Sequence, residues 1–176
     1  MIMKISGIRS TYSKASLLIF CCLLMINVRG WAQEHAMDSA KTKMMHVLVM
    51  PADLTWMDAP PGLPAGAKVA VLSGDPSKEG LFSIRLKFPP NYIIPAHSHP
   101  SDEHVAVLSG TLALGMGDKL DSKKMKSLSA GGYALLPQNM NHYAMAKGET
   151  IIQLYSMGPF AITYVNPADD PRNKKQ

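Results

Sequence analysis

The sequence predicts an all-β domain, folded as a sandwich or small barrel of short strands. Three observations carry that reading. Ten short runs rich in Val, Ile, Leu and Tyr follow one another, each closed by Gly, Pro, Asn, Asp or Ser. No segment of 12 residues places its apolar side chains at helical spacing. At 176 residues, 47% hydrophobic and 18% charged, the chain has the length and composition of one globular core.

Residues 1–32 stand apart from that core. Lys4, Arg9 and Lys14 form a positive start, and Ala15 to Val28 (ASLLIFCCLLMINV) is an uncharged apolar run too short to span a bilayer comfortably. Gly30-Trp31-Ala32 then offers small residues for cleavage. The segment reads as a secretory signal peptide with Gln33 as the mature start, and no lipobox surrounds Cys21 or Cys22. The expected product is exported, periplasmic or secreted, with no stable membrane anchor after cleavage. The leader also accounts for the apparent basicity: it carries four of the 18 basic residues and no acid, leaving 14 against 13 acidic ones. A nucleic-acid or anionic-membrane surface needs a clustered positive footprint, and "DSKKMKS" (Asp121 to Ser127) reads as a solvated turn instead. Both cysteines leave with the leader, which excludes disulfides, thiolate zinc sites and cysteine nucleophiles and suits an oxidising compartment.

Residues 33–42 are polar and read as a flexible segment, 43–166 as the folded domain and 167–176 as a flexible tail. The predicted strands, in order, are Met44 to Met50, Lys68 to Leu72, Leu81 to Phe88, Tyr92 to His97, Glu103 to Ser109, Thr111 to Met116, Tyr133 to Pro137, His142 to Ala146, Ile151 to Met157 and Phe160 to Val165. "DAPPGLPAG" (Asp58 to Gly66) is too short to separate two domains and reads as a surface loop.

The fourth and fifth of these strands flank "PAHSHPSDEHVAVLSG", which holds three of the six histidines. On an extended strand, His97 and His99 at i and i+2 project from one face with Cα atoms roughly 6.6 Å apart, so both imidazoles can bind one ion at about 2 Å. Pro100-Ser101-Asp102 is turn-forming, after which the chain can return and present Glu103 or His104 beside the pair. Strand alternation puts Glu103 with Val105 and Val107, and His104 with Ala106 and Leu108, so one of the two faces the ion and the other turns away. His104 fits the opposite face, or a supporting role that orients a ligand. Asp102 reads as a turn acid, and His35 and His46 as incidental.

The spacing His97, His99, Glu103, Gly110 resembles the first cupin motif, and Gly131, Pro137, His142 in "GGYALLPQNMNHYA" resembles the second. The resemblance covers Leu81 to Val165 and implies a single-domain cupin: a small antiparallel β barrel, or double-stranded β-helix of jelly-roll type. It carries over His97, His99, Glu103 and His142 as metal ligands, and it implies a homodimer. Where the pattern has Gly before the His pair and after the Pro, this chain has Asn91 and Asn139, the non-glycine residue best suited to a left-handed backbone. Ala146 replaces a final Asn that is not a ligand.

A three-His, one-carboxylate set suits one divalent first-row transition metal, Fe, Mn, Ni, Cu or Zn, and leaves positions open for water, dioxygen or a substrate. The methionines lack a Met-x-Met cluster and read as core fillers rather than copper ligands. Tyr133, Tyr143, Gln153, Tyr155 and Arg85 are the candidate substrate-pocket residues, with Leu135 and Met145 as further wall candidates. Two functions follow: a metal-dependent enzyme of oxygenase, lyase or isomerase type acting on a small oxygen-bearing molecule, or a module that binds or senses metal and a small ligand without turnover. No side chain in the sequence announces itself as an additional acid or base.

Overall fold

The computed structural model describes residues 46–174. The leader at 1–32, the segment 33–42, Met44 and Met45, His35, both cysteines and the last two residues lie outside the described residues. Among the described residues eleven strands form two antiparallel sheets, as alternating sequences with one apolar face require. They are β1 (Met57–Asp58), β2 (Lys68–Ser73), β3 (Gly80–Phe88), β4 (Ile93–Ser98), β5 (Glu103–Ser109), β6 (Thr111–Met116), β7 (Lys126–Ser129), β8 (Tyr133–Leu136), β9 (His142–Ala146), β10 (Thr150–Gly158) and β11 (Thr163–Tyr164). One sheet runs β1-β2-β3-β10-β5-β8 and the other β11-β4-β9-β6-β7. The chain passes from one sheet to the other between β3 and β4 and again between β4 and β5, giving the jelly-roll form of an all-β cupin barrel.

Alternation decides what faces inward. In β3, Phe82, Ile84, Leu86 and Phe88 are buried, and in β10 Thr150, Ile152, Leu154 and Ser156 are. The register pairs Leu154 with Ile84 on one side and Val105 on the other, which makes one apolar row across the sheet. Phe88 stacks on Tyr92 with centroids 5.0 Å apart, closing the core at the β3–β4 corner. At the β5–β6 corner Gly110 adopts φ 76, and a Cβ there would collide with the backbone of Glu149 and Thr150, so the tight turn needs glycine.

Two expectations are corrected. Met44 to Met50 was expected as a strand, but its described part, 46–50, is exposed and unpaired and leads into a 3-10 turn at Pro51–Asp53. An apolar run becomes a strand only where a neighbour supplies hydrogen bonds and a face to bury. Phe160 to Val165 shortens to Thr163–Tyr164, because Phe160 to Ile162 curl toward the barrel interior. The described part of the tail carries two 3-10 turns, Pro167–Asp169 and Pro171–Asn173, capped by Asn166 and Asp170. The described residues add two strands the sequence did not reveal, β1 and β7. Among them no helix is long and apolar enough to cross a membrane.

Candidate metal centre

The site is built where the two sheets meet. His97 lies on β4 and His99 just beyond it, Glu103 is the first residue of β5, and His142 is the first of β9. The β4–β9 register places His97 directly opposite His142. The turn between β4 and β5 is fixed from both ends: the Asn139 amide donates to the His99 carbonyl at 2.7 Å, and the Gln138 amide to the Asp102 carboxylate at 2.8 Å. Asp102 is therefore a turn acid. Asn91 and Asn139 have φ 60 and 59, the left-handed conformation that their places in the motifs demand.

All four side chains are buried, between 2% and 8% exposed. The rings of His97 and His142 lie 4.2 Å apart, those of His97 and His99 5.0 Å, and those of His99 and His142 5.5 Å. Each imidazole donates through Nδ1 to a backbone carbonyl: His97 to Pro95 at 2.7 Å, His99 to Ala161 at 2.7 Å, His142 to Met140 at 2.9 Å. A carbonyl can only accept, so the three contacts fix one tautomer and leave the Nε2 lone pairs free for a ligand role. The three rings can bring ligand nitrogens within 4.8 Å of one another.

Glu103 completes the cluster. Its Oε2 lies 3.5 Å from His99 Nε2 and 3.3 Å from His142 Nε2, is fully shielded, and has no hydrogen-bond partner. Burial opposes charge on Glu103, and it is positive charge on His142, His99 and His97 that outweighs burial and holds the carboxyl below the ordinary carboxylate value. Burial, then the rings of His142 and His99, push His97 down to about 3, and burial also lowers His99. An anion that faces nitrogen lone pairs needs a positive charge between them, and burial disfavours a proton on His97 or His99. A divalent cation satisfies the orphaned oxygen and the lone pairs together, so the residues present fit a metal ion.

His104 turns to the opposite face of β5. Its Nδ1 is 2.7 Å from the Tyr133 hydroxyl, and its ring stacks on Tyr155 at 4.5 Å. The expected pocket residues are corrected by the same parity. Arg85, Gln153, Tyr155 and Tyr133 occupy the outer face of their sheet, where Arg85 Nε reaches Gln153 at 3.5 Å. Tyr143 is fully buried but lies behind β9, across Gly115, with its hydroxyl donating to the Asp121 carbonyl at 3.3 Å. None of the five lines the cavity beside the histidines, and Leu135 and Met145 do not line it either. The sequence reading missed Phe160, whose ring stacks on His99 at 4.2 Å, and Ala161, whose carbonyl orients it.

A family model described as ChrR Cupin-like domain matches residues 44–161. A germin-like protein of rice (Oryza sativa subsp. japonica) is 33% identical over 86 residues, covering 48% of this chain and 38% of that protein. The chain spans only 35% to 38% of the length of the curated relatives it matches. Among solved structures, the polyketide cyclase RemF from Streptomyces resistomycificus superposes with a TM-score of 0.59 at 18% identity, covering 72% of this chain and 90% of that one. A candidate acetylacetone dioxygenase from Methylibium petroleiphilum PM1 gives 0.56 at 18% identity, covering 74% and 88%. These likenesses share the fold.

Proposed function

Because the chain belongs to the ChrR cupin-like family, we propose that it is an exported metal-binding cupin that presents one divalent first-row ion to a small oxygen-bearing molecule. The ligands are His97, His99, His142 and Glu103. The orphaned, buried Oε2 of Glu103 beside two Nε2 lone pairs carries the reading. Three imidazoles suit Fe, Mn, Ni, Cu or Zn, and the carboxylate draws preference toward the harder ions. Such an ion, when bound, supplies Lewis-acid polarisation of an oxygen ligand or, if redox-active, electron-transfer chemistry. The protein's own residues orient the ligands through three backbone carbonyls, line the cavity with an apolar wall, and place a buried carboxylate at Glu103 beside the imidazoles. Export rests on the leader at 1–32, and a homodimer on the cupin resemblance.

Two modes remain open to experiment. Neighbours of the same fold described as a cyclase and a dioxygenase support an enzyme of oxygenase, lyase or isomerase type. One observation favours a binding or sensing module: apart from the four ligands, the titratable groups lining the cavity are Asp58 and Asp75, both exposed. Purified mature protein should begin at Gln33 and carry about one metal per chain by elemental analysis, with His97→Ala plus His99→Ala abolishing it. Failure to take up a stoichiometric ion after refilling with Fe, Mn, Ni, Cu and Zn overturns the metal reading. Oxygen uptake and product mass across small carboxylates, diols and phenols separate turnover from binding.

A further inference from the structure

The composition of the cavity wall says what the site receives. Between the sheets lies a cavity of about 460 Å3, within the range of small-molecule sites. Packed interiors hold few voids larger than a water molecule, so an opening of this size is built rather than left over. Its polar lining falls into two places only. The four donors form one. Asp58, Asp75 and Ser77 form the other, all exposed, with Asp58 paired to Lys68 at 2.7 Å and Asp75 to Lys78 at 3.0 Å. The rest is hydrocarbon and glycine apart from the Met57 thioether, with Ile84, Val105, Leu114, Leu136, Ile152 and Leu154 as the central wall. Among the described residues no lysine, arginine, asparagine, glutamine, threonine, tyrosine or tryptophan lines it.

That inventory discriminates between substrate classes. A ligand with a second anionic group would bury charge with no cation to meet it, and would pass acids at the rim and Glu103 within. A polyhydroxylated ligand would leave most of its hydroxyls without partners against leucine and isoleucine. A hydrocarbon body loses nothing there, since an apolar cavity stays dry and accepts apolar guests.

We infer that the physiological ligand is a neutral, predominantly hydrocarbon molecule with a single oxygen head group, whose head meets the four-donor cluster while its body fills the apolar wall. The head rests on the metal reading given above; the body rests on the wall alone. Specificity then comes from length and shape of the hydrocarbon rather than from hydrogen bonds along it.

Calorimetric titration of zinc-loaded protein with methyl ketones of increasing alkyl tail, against the same tails ending in a carboxylate, tests this without relying on turnover. Affinity should rise about fourfold per added methylene until the cavity is full, and a terminal carboxylate should cancel the gain. Ala144→Leu, which narrows the cavity, should end the rise at a shorter tail with zinc content unchanged. If that variant does not fold, Ile152→Ala should extend the rise instead. Affinity independent of tail length, or carboxylate-ended tails binding as well as neutral ones, overturns the inference while stoichiometric zinc leaves the metal reading intact. If the protein takes up no zinc, that reading fails, and alkylbenzenes titrated into the metal-free protein decide the wall separately. A tail-length-dependent rise in melting temperature supports the apolar body, and no shift overturns it.

Discussion

Glu103 and His104 are adjacent in the chain and end in opposite environments. Inside β5, Glu103 belongs to a cluster whose three histidines are each fixed by a backbone carbonyl. Outside it, His104 contacts only side chains, the Tyr133 hydroxyl and the Tyr155 ring, on a half-exposed surface. A backbone carbonyl held in a sheet or a tethered loop cannot swing away, so it fixes a tautomer; a tyrosine hydroxyl can both donate and accept, so it fixes none. The anchor and the burial, more than the histidine itself, separate the inner cluster from a surface residue.

The sharpest way to break this contrast is deletion on both faces. His142→Ala should reduce bound metal from about one per chain to near zero, while His104→Ala leaves the stoichiometry unchanged, both read by elemental analysis. Equal losses would dissolve the distinction. Packing gives the next largest contrast. Phe82 is fully buried with its ring 5.3 Å from Phe160, so Phe82→Ala should cost about 3–5 kcal/mol in denaturant unfolding. Leu81→Ala, on the exposed outer face one residue away, should stay within about 0.5 kcal/mol.

Glu103→Gln sharpens the electrostatic half. An amide carries no anionic oxygen, so metal affinity should fall about tenfold or more, read by competition with a chelator. Unchanged metal affinity would show that the carboxylate is not a ligand. The smallest effect concerns the turn that holds His99: Asn139→Ala should cost about 1–2 kcal/mol because φ is 59, and Asn139→Gly should be close to neutral.

The same contrast explains what could be read in advance. The bounds of β5, β6 and β9 were legible because turn residues close them, as Gly110 does between β5 and β6. The approach of His97 and His99 to each other was legible because residues at i and i+2 of extended chain need only the strand's own period to share a face. The pocket was not, because alternation divides residues into two sets without saying which set faces inward. Arg85, Gln153 and Tyr155 attracted attention as polar groups with reach, yet the register puts Gln153 opposite Ala106 and Tyr155 opposite His104. Glu103 shares its parity with Val105 and Val107, and that link already pointed to an apolar inner face. Strand β7 escaped notice because in KSLS only Leu128 is shielded, which leaves no alternating pattern to see.

Ala161 stands 62 residues beyond the histidine it orients, and Arg172, paired with Asp170, secures that segment by donating to the Ile162 carbonyl at 3.1 Å. A chain made or threaded from its N-terminus therefore holds His97 and His142 before it can lock His99. The orientation of His99 thus depends on the last stretch of polypeptide, far from the turn in which the histidine itself sits.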